Sequence, residues 1–520
     1  MSASRARSQV AALPGLSAGE PFDGSRTFLD TFDWRLYDAD SCLELPDGDT
    51  HTLQWRTLSD EGALGSTQVN GAVRFADDLG AGPVADRLAG IIEMRALAPV
   101  AKVVERGWTF RQLDDEGKTV ARVRLTEATA VDPAAGTREP LGLRLALLPV
   151  KGYERAAGDT AARLQATFEL APATGPLMAD ALAALGRRPG DYSSKLRLKL
   201  TSSMRADQAA RVIHRTLLDT MERNEAGTKA DLDSEFLHDL RVAVRRTRSA
   251  LTQIKGVLPA RTVERMKTAF AWLGQATGPT RDLDVYLLGL PEYRASLPDA
   301  FKASLDPFED YLTRRQRQEQ RRLTRVLSGA RYAKLKREWR AFLDTPPDQA
   351  DAPAEPLANA RRPIGAVASE RIWKMYRRVI AEARAIDDAS PAEALHDLRK
   401  SCKKLRYLME FFASLYPEAQ LKPLVKRLKT FQEVLGIFQD YEVQSHALTA
   451  FARDMHAQGT APAETYMAMG ALASRLIAGQ QAARADFAGR FAAFDTRDVH
   501  RRFKHLFGPG APGAGEAAVA

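Results

Sequence analysis

A fifteen-residue string occurs twice in this chain of 520 residues. It runs as LHDLRVAVRRTRSAL from Leu237 to Leu251 and, 158 positions later, as LHDLRKSCKKLRYLM from Leu395 to Met409. The first five residues and Arg248/Arg406 are identical, and Arg245/Lys403 and Arg246/Lys404 keep their positive charge. A repeat at this distance points to two copies of one large helical unit. Apolar residues at Leu237, Leu240, Val244 and Leu251, and at Leu395, Leu398, Cys402, Leu405 and Met409, follow helical spacing and give each copy one buried stripe.

At about 100° per residue, His238, Arg241, Arg245 and Arg248 fall at roughly 0°, 300°, 340° and 280° around that helix, an arc of about 80°. His396, Arg399, Lys403 and Arg406 occupy the same arc in the second copy. A single run of this kind usually reads as a solvated face. Solvated faces, however, mix signs to gain i,i+4 pairs, and like charges at that spacing cost a few tenths of a kcal/mol. The only acid inside either copy follows the histidine, at Asp239 or Asp397. A repulsive face built twice favours an anion as its partner.

The charge distribution agrees. The net charge is +9, but residues 1–200 carry 24 Lys+Arg against 27 Asp+Glu, and residues 201–520 carry 51 against 39. The first part is therefore at −3 and the repeat part at +12, a field suited to a polyanion. Two cysteines, Cys42 and Cys402, supply neither a disulfide framework nor a CxxC metal pattern. With no secretory core near the start and no 18-residue apolar run, the expectation is a cytoplasmic protein with no membrane partner.

Texture divides the chain further. Residues 1–21 and 508–520 read as disordered tails. Within a first domain taken as 22–200, short alternating runs (HTLQWRTL, LGLRLALLPV) and turn signals (PDGD, DDEGK) from Phe22 to about Leu170 predict an antiparallel sheet, with a hairpin at DDEGK, and the texture turns helical from Asp180 onward. Residues 201–507 read as helical, in halves 201–343 and 364–507 joined by a Pro/Ala-rich linker, 344–363. The duplication extends outward: MKTAFAWLGQATGPTRDLDV (Met266–Val285) parallels LKTFQEVLGIFQDYEV (Leu428–Val443), with four more residues between Gly274 and Asp282 than between Gly436 and Asp440. Each half therefore reads as about four helices. The fold class expected is α+β multidomain.

These strings resemble the CHAD family, the conserved-histidine α-helical domain, over roughly Thr201 to Phe507. The resemblance implies two pseudo-symmetric four-helix bundles whose basic helices face one groove that binds inorganic polyphosphate, at polyphosphate granules. Carried over, the binding candidates are His238, Arg241, Arg245, Arg248, His396, Arg399, Lys403 and Arg406, with Arg246, Lys404, Lys267 and Lys429 as neighbours. The histidines could donate to phosphate or instead hold the segment before the helix.

The N-terminal part resembles, more faintly, the CYTH or triphosphate-tunnel fold, a β-barrel. The resemblance rests on FLDTFDWRLYDAD (Phe28–Asp40), on Arg95 and Arg106 as phosphate-contacting arginines, and on SSKLRL (Ser193–Leu198) as a closing motif. No Glu-x-Glu-x-Lys stands before Phe28, and the late strand LRLALLPV carries no alternating carboxylates. Without oxygen ligands a divalent ion has no site, so the expectation is a degenerate, non-catalytic barrel or half-barrel with no metal and no cofactor. A metal-dependent triphosphatase is the enzymatic rival. Nucleic acid is the binding rival, set back because the two copies hold one aromatic, Tyr407, for base stacking. The chain has no HExxH, no Walker A and no convincing Gly-x-Ser-x-Gly elbow. His51, His214, His446, His456, His500 and His505 lack metal-ligand spacing.

Overall fold

The computed structural model describes residues 2–47, 52–59, 62–173, 175–347 and 357–511. His51, the centre of the PDGD turn, linker residues 348–356 and residues 512–520 lie outside the described residues. The chain divides into two compact units, Met1–Ser194 and Lys195–Ala520.

Unit 1 is one antiparallel sheet with helices on its faces. Its strands are β1 (Glu20–Thr31), β2 (Ser41–Pro46), β3 (Thr52–Thr57), β4 (Ala63–Gln68), β5 (Leu97–Leu113), β6 (Thr119–Val131) and β7 (Arg138–Pro149). Their order is β4-β3-β2-β1-β5-β6-β7. The helices are α1 (Ala3–Ala11), α2 (Arg35–Asp38), α3 (Pro83–Ile92), α4 (Glu154–Thr167) and α5 (Leu177–Ala184). The DDEGK hairpin is present between β5 and β6, where Asp114 accepts from the Lys118 amide and Gly117 takes φ +76°.

Two expectations are corrected here. The sheet is open: among the described residues no ladder joins β4 to β7. A sheet curls onto itself to bury its own apolar face. Here α5 already covers that face, through Met178, Ala181 and Leu182 against Phe28, Val103 and Ala128. Nor is the stretch before Phe22 a tail throughout. Residues 3–11 form α1, whose Ala6 and Val10 pack with Phe110, Val123 and Leu125 on the other side of β6, and β1 begins at Glu20.

Unit 2 is helical, as the 3.6-residue periodicity predicts. Its first half holds α6 (Ala206–Ala230), α7 (Ser234–Gln253), α8 (Ala260–Ala276), α9 (Gly278–Ser296), α10 (Asp299–Lys302), α11 (Asp306–Leu327) and α12 (Ala330–Asp344). Its second half holds α13 (Ile364–Arg384), α14 (Ala392–Phe411), α15 (Glu418–Gln458), α16 (Ala463–Phe494) and α17 (Arg497–Phe507). The repeated strings form α7 and α14. The four extra residues of the first copy, GPTR, coincide with a break: α8 and α9 meet at Thr277 with Pro279 opening α9, whereas α15 runs unbroken for 41 residues.

The halves do not close separate cores. One cluster takes Leu237, Leu240 and Val244 together with Leu395, Leu398 and Cys402, so the apolar stripes of both repeats feed the same interior. A second cluster joins α9 and α11 to α15 and α16 through Tyr286, Phe308, Leu448 and Leu472. Among the described residues, no helix is long and apolar enough to cross a membrane.

Candidate anion groove

Local chemistry fixes α7 before any long-range contact does. Asp233 caps it, accepting from the Glu235 and Phe236 amides at 2.9 and 3.2 Å. Gly227 lets α6 pass close by, because a Cβ there would lie 2.3 Å from the Phe236 ring. With Leu237, Leu240, Val244 and Leu251 buried, the opposite arc turns outward. α14 has no side-chain cap, but it buries Leu395, Leu398, Cys402, Leu405 and Met409 in the same way and packs against α7.

The two basic arcs converge. The charge of Arg245 on α7 acts on both Arg399 and Lys403 of α14, and Arg406 adds to the same field. Burial and these neighbours pull the Lys403 ammonium down to about 8, with only Asp440 opposing. Arg399 and Arg241 are also lowered, first by burial. Cations crowded and partly desolvated in this way are the signature of a site short of counter-charge.

Arg241 and Arg248 lie against α8 at Gly274. Arg241 donates to the Gly274 carbonyl at 3.1 Å and to the Thr277 hydroxyl at 2.9 Å. The Arg248 guanidinium comes within 3.3 Å of where a Gly274 Cβ would stand, so a larger residue there would push it aside. Arg241 is thus partly committed to holding the α8–α9 break, whereas exposed Arg245 and Arg248 are open to solvent.

Acids from other helices enter the site, and local charge counting missed them. Arg399 pairs with Asp440 of α15 at 3.1 Å, but that carboxylate side chain is 61% exposed. Water screens such a pair to about 0–1 kcal/mol. His396 Nε2 contacts Glu442. His238 sits with Glu235 and Asp239, their ligand atoms all within 4.8 Å of one another. That triad has the donor types for a metal, but the Arg281 guanidinium stands 3.8 Å from Glu235 and already supplies a positive charge. His396 is therefore in contact with a carboxylate, and His238 stands close to two. Asp282, near Arg241 and Arg281, is raised by burial, and burial likewise pushes Asp284 up to about 6.

The four neighbours separate. Arg246 donates to Glu410 at 3.0 Å, Arg406 approaches Glu410 at 3.6 Å, and both guanidiniums lie over the Tyr407 ring. Glu410 thus ties α7 to α14 beneath the groove. Lys267 is turned to Glu264 on its own helix at 2.8 Å. Lys404 is half-buried near Asp397, and Lys429 is exposed on α15. The residues the sequence did not single out are Arg281, Asp282, Glu410, Asp440 and Glu442. Asp282 and Asp440 recur within the repeated RDLDV and QDYEV strings, which was the available signal.

Residues 212–449 match the family model described as the CHAD domain. The chain carries a CHAD domain. Among solved structures it is similar to the CHAD domain from the plant Ricinus communis, at 24% identity, TM-score 0.48, over 58% of this chain and 97% of that one. It is also similar to PptA from Streptomyces chartreusis, at 17% identity, TM-score 0.41, over 55% and 99%. No curated protein matches. The CHAD domain holds all twelve candidate residues.

In unit 1 the carried-over arginines do not share a site. Arg95 is 1% exposed and pairs with Asp33 at 3.4 Å, sealed from any phosphate. Arg106 is 78% exposed and faces Asp23 at 3.5 Å. Ser193–Leu198 forms no strand.

Proposed function

We propose that the CHAD domain binds linear inorganic polyphosphate between α7 and α14. Arg245, Arg248, Arg399, Lys403 and Arg406 would contact phosphate, with Arg241 behind them. The observation that carries this is the convergence of the basic arcs of both repeats, Arg245 beside Arg399 and Lys403. Guanidinium forks suit phosphate oxygens in pairs, and lysine adds a point charge. The CHAD family is linked to polyphosphate in general, and the shortage of aromatics on these helices favours a bare phosphate polymer over RNA. His238, close to Glu235 and Asp239, and His396, in contact with Glu442, would serve to position the helices. Association with polyphosphate granules in the cytoplasm completes the reading, and the buried Cys42 and Cys402, not joined in a disulfide, suit a reducing compartment.

Unit 1 we read as a non-catalytic, CYTH-like platform for a partner. Its sheet carboxylates Glu44 and Glu105 are taken up by Arg26, at 3.1 and 2.6 Å, rather than left to hold a metal. The test is a competition at fixed salt between long-chain polyphosphate and RNA of equal charge. Polyphosphate should win, and Arg245→Glu with Lys403→Glu should abolish binding while the helical circular dichroism stays native. Tighter RNA binding would sink the assignment. Metal-dependent phosphate release from tripolyphosphate by the full chain would overturn the non-catalytic reading.

A further inference from the structure

One strongly charged face of unit 2 takes no part in the groove. On α11, Arg314, Arg317, Arg321 and Arg325 are exposed, while Leu312, Leu323 and Leu327 are buried on the opposite side. At about 100° and 1.5 Å per residue the four guanidiniums share an arc of about 80° over a run of about 16 Å. None of the four pairs with a carboxylate among the described residues. Arg314 and Arg325 make backbone contacts only, to the carbonyls of Asp310 and Arg321.

Several other exposed bases of this unit are paired within their own helix. Arg378 is neutralised by Glu382, Arg490 by Asp486 and Arg502 by Asp498, each one turn away on its own helix. That is how a merely solvated face is built. The face of α11 does without such partners over about three turns.

We propose that this α11 row is a second contact track for the same linear polyphosphate, engaged only by chains too long for the α7–α14 groove. The inference rests on the function proposed above and adds chain-length selectivity to it. The surface chemistry favours this occupant over two others. Base stacking needs a free ring, and the aromatic residues of α11, Phe308 and Tyr311, are buried. Membrane insertion needs exposed apolar side chains, and α11 and α12 show no large ones. A second track on one polymer raises affinity by effective concentration without altering the first site.

The test uses the full chain with Arg314, Arg317, Arg321 and Arg325 all changed to Gln, which keeps helix propensity. Tripolyphosphate and long-chain polyphosphate are titrated separately between about 50 and 200 mM salt. Tripolyphosphate affinity should be unchanged. For the long chain the slope of log affinity against log salt should flatten by about 3, taking about 0.7 per neutralised phosphate as for single strands. Native thermal unfolding of the variant excludes misfolding as the cause. Equal long-chain binding by parent and variant at every salt overturns the track. So does a variant that loses RNA binding yet keeps polyphosphate. Failure of the parent to bind polyphosphate of any length is a different result, and it removes the groove assignment as well.

Discussion

Lys403 makes the groove sensitive to pH in a direction that can be worked out in advance. Its ammonium is held at about 8, against 10.5 for an ordinary lysine, by burial and by Arg399, Arg245 and Arg406. A bound phosphate chain neutralises those neighbours and returns the group towards its ordinary value. Below pH 8 the lysine is charged in both states, and binding needs no proton. Above pH 8 the free protein has lost that proton and binding must recover it, so affinity falls as pH rises. By linkage the loss is about tenfold between pH 7 and pH 9. Calorimetry in two buffers of different ionisation enthalpy should register approximately one proton taken up per site at pH 9 and almost none at pH 7. Lys403→Arg, charged throughout, should bind as tightly and remove both the slope and the proton. A flat affinity from pH 7 to 9, or an unchanged slope in Lys403→Arg, would refute the reasoning.

Three further outcomes concern stability. Glu410→Ala leaves Arg246, 14% exposed, facing Arg406 without its carboxylate, and should cost about 1–3 kcal/mol in denaturant unfolding; a change below about 0.5 kcal/mol would show that the clamp is idle. Gly227→Ala drives a methyl into the Phe236 ring and should cost about 1–3 kcal/mol, read as a lower thermal midpoint. His214, fully buried against Trp339, is held far down, at about 3 against 6.5. Because the folded value is depressed, its contribution is complete above pH 6.5 and is lost as pH falls towards 3. His214→Leu should therefore flatten the acid limb of the stability profile, and an unaltered limb contradicts this.

Period and repetition made much of unit 2 legible. The apolar stripe of LHDLR is a local pattern, and a helix fixes the relation between residues three and four apart whatever surrounds it, so the outward arc of Arg241, Arg245 and Arg248 follows from order alone. The DDEGK hairpin was legible for the same reason. The closed barrel was not, because closure depends on whether something else covers the sheet, and α5 does. The helix at residues 3–11 was missed because Ala6 and Val10 are too small a stripe to notice until Phe110 and Val123 lie beneath them.

The sequence by itself determined that the chain has two copies of one basic helix, which side of each is buried, and that the positive charge gathers in the repeat part. Tertiary structure alone decided that the two arcs confront each other, that Arg246 and Arg406 serve Glu410, and that Asp440 and Glu442 stand opposite Arg399 and His396. Those partners lie 41 residues apart for Arg399 and Asp440 and 164 apart for Arg246 and Glu410. At such separations no helical period relates one side chain to another, and only the packing of α7, α14 and α15 around one core sets the charge balance of the groove.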